Sequence, residues 1–195
     1  MPLYVSGKRQ TRSGQGQDAL GEHFDRVGLG DAVVEVAAEP REEAVEVERK
    51  RGAMNPTIKK FGYPATLLRE LEHWVILLRP AQVTLGSLVL AAKSDAIASG
   101  PMESEAFVEQ AEAIAWIERS LKRFVAYERV NYLMLMMVDP QVHFHVIPRY
   151  SKLRQWNGLE FRDTGWPGPP NLASSVSLNE EQIRALVMEF DTNLD

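Results

Sequence analysis

The stretch of chain that decides the fold lies at residues 139–150 and reads DPQVHFHVIPRY. Its apolar and aromatic residues follow an Asp-Pro breaker and predict a β-strand from Val142 to Arg149. Successive side chains of a strand point to opposite faces, so the polar and the apolar residues separate here. The polar face carries Gln141, His143 and His145, and the apolar face is predicted to point into a core.

Two histidines on one face of a strand have three interpretations. They can be partners satisfied within the structure. They can be metal ligands, in which case a catalytic zinc site would need a third ligand, such as Asp139 or Glu72. They can also be catalytic, because the ordinary imidazole pKa of about 6.5 lets this side chain act as base or nucleophile near neutral pH.

Upstream of this strand the pattern predicts the other elements of one α+β domain. Residues 73–78 and 87–92 are rich in β-branched and aliphatic residues and predict two strands of an antiparallel hairpin. Apolar residues recur at helical spacing over Ser104–Phe124, which predicts a long amphipathic helix. Val130–Val138 predicts a buried strand.

The chain divides into three parts. Residues 1–53 are rich in polar and charged residues and predict a disordered N-terminal tail. Residues 54–150 hold the predicted domain, and Met54 is a candidate for the natural start. Residues 151–195 form a C-terminal extension that we expect to pack on the domain.

Two segments beside these elements have weaker patterns. Residues 57–71 contain glycine and proline, and predict a turn that leads into a short helix. Residues 151–175 predict an irregular aromatic loop. A capping box from Ser177 to Glu180 then predicts the start of the last helix.

Composition narrows the function classes. The chain of 195 residues has a net charge of -5, so no general attraction to nucleic acid or to an anionic membrane is expected. It has no cysteine, which excludes disulfides and thiolate chemistry. No apolar run is long enough to span a bilayer and no signal-peptide pattern is present, so we expect a cytoplasmic protein.

The stretch from Gln141 to Arg149 resembles the signature of the histidine triad (HIT) family. That signature has three alternating histidines on a strand, two apolar residues and then Pro-Arg, and here Gln141 stands in place of the first histidine. The order of hairpin, helix and strand before it is similar to the family's over residues 55–150. The resemblance implies an antiparallel sheet of about five strands with a long helix packed on it.

The resemblance also implies roles for three residues. His143 matches the nucleophile, which would attack the α-phosphate of a nucleotide and form a nucleotidyl-histidine. His145 would hold a phosphate oxygen, and a protonated imidazole suits that task. Gln141 can donate and accept hydrogen bonds but cannot titrate. We expect His143 to face an open groove, since a sealed ring could not meet a phosphate.

Three further residues are candidates for contact with the nucleotide. Ser87 could contact phosphate or simply begin a strand, and Asn131 could meet the ligand or bond locally. Arg79 could hold a phosphate or be a solvated loop residue. Arg149 is expected to brace the structure or a dimer contact.

The function implied by the resemblance is hydrolysis or transfer at the α-phosphate of nucleotide derivatives. Diadenosine tetraphosphate is the first candidate substrate and nucleoside phosphoramidates are the second. No cofactor is required, although the substrate can arrive as a magnesium complex. A homodimer is expected. The alternatives are a nucleotide-binding protein without catalysis and a metal-dependent enzyme that uses His143 and His145 as ligands.

Overall fold

The two histidines lie in a five-stranded antiparallel sheet. The computed structural model describes residues 54–192, so the predicted tail at 1–53 lies outside the described residues. The strands are β1 (Leu67–Glu70), β2 (Trp74–Leu78), β3 (Ala81–Gln82), β4 (Leu88–Ala92), β5 (Arg129–Leu133), β6 (His143–Arg149), β7 (Arg154–Trp156), β8 (Leu159–Phe161) and β9 (Val176–Ser177). The helices are α1 (Pro56–Lys60), α2 (Ser104–Val125) and α3 (Glu180–Thr192).

The large sheet has the strand order β1-β2-β4-β6-β5, and each neighbouring pair is antiparallel. Strand β4 therefore lies at the centre and β6 lies between β4 and the edge strand β5. The predicted α+β architecture, with five antiparallel strands and a long helix, is confirmed. The remaining strands form two small ribbons, β3-β9 and β7-β8.

The sheet has an apolar cluster on each face. On β4, Leu88 and Leu90 belong to a larger cluster that includes buried residues of α2 and α3. Val89 and Ala91 alternate with them and belong to a smaller cluster with Ile58 of α1. Every residue of β4 is buried, as expected for a central strand covered on both faces.

Helix α2 closes the larger cluster. Its buried residues recur at helical spacing and include Ala113, Trp116, Ile117 and Leu121. The helix ends at Ala126, which adopts a left-handed conformation with φ of 47°. The predicted helix is confirmed to within one residue of its end. Among the residues that the structure describes, no helix is long and apolar enough to cross a membrane.

The prediction of a turn followed by a helix at residues 57–71 is wrong, because the order is reversed. The helix comes first: Asn55 caps α1 by accepting a hydrogen bond from Ile58, and a proline follows the cap. Gly62 then turns the chain with φ of +92°, where a Cβ would lie 2.8 Å from a methyl group of Thr66. The chain continues into β1, which pairs with β2.

Strand β5 is shorter than predicted. It ends at Leu133 and not at Val138, because Leu133 pairs with His145 at the last register position of β5 with β6. The next residues leave the sheet, and Met137 and Val138 are 89% and 81% exposed. An apolar run read as a buried strand is therefore largely a surface loop.

The C-terminal extension contains a hairpin where an irregular loop was predicted. Strands β7 and β8 are joined by Asn157 and Gly158, whose φ values are 47° and 74°. A two-residue hairpin turn with positive φ at both central residues favours Asn-Gly, because these two residues adopt such φ values with little strain. The extension packs on the domain through buried residues of the larger cluster: Phe161, Leu178, Leu186 and Phe190.

The predicted capping box at the last helix is displaced by two residues. Ser177 pairs with Ala81 in the β3-β9 ribbon, so it is not available to cap a helix. Instead Asn179 and Gln182 form the reciprocal pair, each side-chain oxygen accepting from the other's backbone N–H at 3.0 and 2.8 Å.

Candidate active site

Strand β6 places its two histidines together on one face of the sheet. His143 lies opposite Ala91 and His145 lies opposite Val89, so both rings share the face of the smaller cluster. Their ring centroids are 5.0 Å apart. Val142 and the other alternate residues point into the larger cluster. The predicted alternation along β6 is confirmed.

The imidazole of His143 is oriented by the backbone of its neighbour. Its Nδ1 lies 2.8 Å from the carbonyl oxygen of Gln141. A carbonyl oxygen only accepts hydrogen bonds, so Nδ1 must carry the proton. In the neutral ring, Nε2 then holds the lone pair. This nitrogen is buried and has no hydrogen-bond partner among the described residues.

The expectation that His143 faces an open groove is wrong for this conformation. The residue is 0% exposed. Phe61, at the end of α1, lies over both imidazoles, with centroid distances of 5.5 Å to His143 and 5.6 Å to His145. His145 and Gln141 beside it are only partly buried. Phe61 is thus a candidate for the side chain that closes Nε2 off from solvent.

Truncation of Phe61 tests whether this ring limits access. In the Phe61→Ala variant, the rate of His143 modification by an acylating reagent should rise more than about tenfold, because the buried Nε2 becomes accessible to solvent. Peptide mass spectrometry gives the rate for each histidine, and His73, which lies just before β2, is the internal reference. The control is Phe107→Ala, which truncates a phenylalanine 44% exposed on α2. Equal rates in all three proteins would exclude Phe61 as the barrier.

His145 does not match the predicted protonated partner. Burial, the neighbouring His143 and the charge of Arg79 lower the pKa of His145 to about 4, and Asp139 opposes that shift. At neutral pH the ring is therefore uncharged, and one of its nitrogens, Nδ1, is buried with no hydrogen-bond partner in the described part of the chain. It can still donate one hydrogen bond to a phosphate oxygen, but as a neutral group.

This depressed pKa predicts a pH-dependent loss of stability. Between pH 6.5 and pH 4 the unfolded chain binds a proton at His145 that the folded chain does not, so the free energy of unfolding falls as pH falls through this window. From pH 7 to pH 4.5, wild type should lose on the order of 1–2 kcal/mol more than His145→Gln, after allowance for solvent screening. Urea unfolding at both pH values measures the difference. Parallel losses in the two proteins would contradict the assignment.

Arg79 lies on the same face as the histidines. It follows β2 two residues after Leu77, which packs in the smaller cluster, and its charge is close enough to lower the pKa of His145. One η nitrogen bonds to the carbonyl of Ala81, whereas Nε is buried with no partner among residues 54–192. Burial lowers the pKa of Arg79, although an arginine stays charged. Its charge therefore lies close to the histidine pair.

The structure contradicts the phosphate contact considered for Ser87. Its hydroxyl is fully buried and donates to the Thr84 carbonyl at 2.7 Å, within the turn before β4. Asn131 also has a structural contact: its amide oxygen accepts from Arg149 at 2.8 Å. It lies opposite Ile147, four residues along β6 from His143. Neither side chain joins the histidine cluster.

The structure adds two residues that the sequence interpretation missed. Phe61 covers the rings, and Thr57 donates a hydrogen bond from its hydroxyl to the side-chain oxygen of Gln141 at 2.6 Å. Both come from α1, 80 or more residues before β6 in the chain. The available sequence signal was the Asn-Pro pair that begins α1. This pair is typical of a helix N-terminus, and it could have predicted a helix here that packs on the domain.

The alternative of a metal site built on the two histidines lacks support in the described part of the chain. No group of three or more His, Asp or Glu side chains there is placed to hold a metal, so Asp139 and Glu72 do not complete a site with the histidines. A cavity of about 610 Å³ lies elsewhere, beside His73, Lys93 and Met102.

Comparison with solved structures shows which fold this is. A histidine triad protein from Sinorhizobium meliloti matches with a TM-score of 0.56 and 20% identity, over 73% of this chain and 96% of that one. One from Marinobacter aquaeolei matches at 0.55 and 18%, over 73% and 97%. One from Bradyrhizobium japonicum matches at 0.53 and 15%, over 73% and 98%. Searches by sequence against protein-family models and curated proteins find no match. The chain therefore has the histidine triad fold.

Proposed function

We propose that this protein is a nucleotidyl hydrolase or transferase that acts at the α-phosphate of nucleotide derivatives through His143. The observation that carries the proposal is the state of that imidazole. Its Nδ1 is held by the Gln141 carbonyl, and its Nε2 is buried with no hydrogen-bond partner among residues 54–192. The ring lies 5.0 Å, centroid to centroid, from that of His145 on a histidine triad fold.

The reaction proceeds in two displacements. The Nε2 lone pair of His143 attacks the α-phosphorus, and the bond to the leaving group breaks. A nucleotidyl-imidazolium forms, and its Nδ1 keeps its proton and still donates it to the Gln141 carbonyl. Water then attacks the same phosphorus and the P–N bond breaks. Nucleoside monophosphate leaves, the neutral ring returns and the water's proton passes to solvent.

Two groups would stabilise the charge that develops on phosphorus. Arg79 supplies the positive charge, and His145 donates one hydrogen bond as a neutral imidazole. Attack by an imidazole needs no metal, although a substrate can enter as its magnesium complex. Phe61 would have to leave its place over His143 before phosphate enters, and its return would exclude water from the site.

The first substrate to test is diadenosine tetraphosphate, and nucleoside phosphoramidates are the second. Incubation in heavy-oxygen water identifies the atom attacked, because attack at the α-phosphorus puts the labelled oxygen into the released AMP. Label in the other product would place the attack at a different phosphorus. Absence of cleavage with both substrate classes would refute the proposed activity.

A second candidate is a protein that binds nucleotides without turning them over. Two observations favour it: His143 is sealed, and Gln141 replaces the first histidine of the motif. Such a protein would bind AMP in calorimetry but would never yield a nucleotidyl adduct after a quench in alkaline denaturant, which preserves a P–N bond.

We also propose that the protein is a homodimer. The loop after the edge strand β5 exposes Leu135, Met137 and Val138, and Met137 is 89% exposed. Light scattering should give the mass of two copies for wild type and of one copy for Met137→Asp, because a charge buried in an apolar interface is costly. The matched control is Met188→Asp on α3, where the methionine is 66% exposed. A single-copy mass for wild type would contradict the proposal.

A further inference from the structure

Thr57 reaches the triad strand from a distant part of the chain. It lies in the first turn of α1 and is only 2% exposed. Its hydroxyl donates to the side-chain oxygen of Gln141 at 2.6 Å, across 84 residues of sequence. In this arrangement the oxygen of the Gln141 amide, and not its nitrogen, is turned toward the Thr57 hydroxyl.

Contacts at both ends of helix α1 hold Thr57 in place beside Gln141. The amide of Asn55 donates to the carbonyls of Ala92 and Ser94 at 2.8 and 2.9 Å, which ties the start of α1 to the end of β4. At the other end, Lys60 forms an ion pair with Asp139 at 2.5 Å, just before β6. Thr57 lies between these two attachments.

The direction of the amide matters because a phosphate is an anion. When Thr57 occupies the oxygen of the Gln141 side chain, the two N–H groups are what the amide offers to a ligand. The reversed amide would present its oxygen and repel a phosphate. Gln141 also holds His143 through its backbone carbonyl, so both halves of this residue serve the reacting group.

We propose that Thr57 is a positioning residue that turns the Gln141 amide so that it donates to the substrate phosphate. This inference rests on the proposed function. It explains how a residue that cannot titrate replaces a histidine at the first triad position: a fixed donor takes the place of an imidazole N–H, and its donating capacity does not change with pH.

A double-mutant cycle tests the inference, with turnover of diadenosine tetraphosphate as the readout. Thr57→Val keeps the shape of the side chain but removes the hydroxyl, and kcat should fall about tenfold, as expected for a lost hydrogen bond that also leaves an oxygen unsatisfied. Thr57→Ser keeps the hydroxyl, so its kcat should lie close to that of wild type. In a Gln141→Ala background, Thr57→Val should change kcat by less than about twofold, because the group it orients is gone.

The outcomes separate this inference from the proposed function. An inactive wild-type protein would refute the proposed function itself, and the role of Thr57 with it. An active wild type in which the effects of Thr57→Val and Gln141→Ala multiply would refute only the role of Thr57. Thermal unfolding of each variant shows whether a lower rate reflects loss of folded protein. Thr57→Ala, which also removes the hydroxyl, takes the place of the valine variant if that variant does not fold.

Discussion

Replacement of His143 by alanine should lower turnover of the nucleotide substrate by at least about a thousandfold, because the variant lacks the atom that forms the covalent bond to phosphorus. The effect should fall on kcat, since the variant keeps Arg79 and Gln141, the two proposed phosphate contacts. A rapid quench in alkaline denaturant, which preserves a P–N bond, should give wild-type protein heavier by one nucleotidyl group, with the label on the peptide that contains His143. The alanine variant should give no labelled peptide.

The control for this variant is His73→Ala, which removes a histidine outside β6, just before β2. It should keep wild-type turnover. Circular dichroism should show that His143→Ala is folded, because the ring lies between Phe61 and the sheet and its loss leaves a small cavity. Full activity in the folded His143→Ala protein would eliminate the covalent mechanism.

Replacement of Asp163 by alanine should produce the largest loss of stability, about 3–5 kcal/mol in the free energy of unfolding. Asp163 receives two hydrogen bonds from Arg149, from Nε at 2.6 Å and from an η nitrogen at 3.0 Å. The side chains are only 5% and 1% exposed, so the variant leaves a guanidinium buried without its counter-charge. Thermal unfolding should shift downward by roughly 10 °C.

A double variant separates the charge effect from a packing effect. Arg149→Met combined with Asp163→Leu removes both charges and keeps apolar volume, so most of the stability should return. A double variant as unstable as Asp163→Ala would show that packing around the loop matters more than the ion pair. The prediction that Arg149 braces structure follows from the same contacts, which tie the end of β6 to the extension at Asp163 and Gly168.

The sequence predicted the elements whose signal is local and periodic. The alternation along β6 and the helical spacing in α2 are such signals, and both predictions are confirmed. Errors arose where tertiary pairing decides. Residues 134–138 have the composition of a strand, but the last residue of β5 to find a partner on β6 is Leu133. Ser177 is of a residue type that often caps a helix, but here it pairs with Ala81 in a two-stranded ribbon.

The candidate site divides in the same way. Two histidines on one face follow from residue spacing alone. The closure of that face depends on Phe61, and the orientation of Gln141 depends on Thr57; both residues reach β6 only through the packing of α1. The low pKa of His145 depends on burial and on the charge of Arg79, which directly follows β2 and is not part of β6. No pattern within β6 could have indicated these three contacts.

A crystal structure of the protein soaked with AMP tests the central claim most directly. The account predicts phosphorus facing Nε2 of His143, phosphate oxygens within hydrogen-bond distance of Arg79 and His145, and Phe61 displaced from its position over the rings. A phosphate bound away from His143, with Phe61 still covering the imidazole, would contradict it.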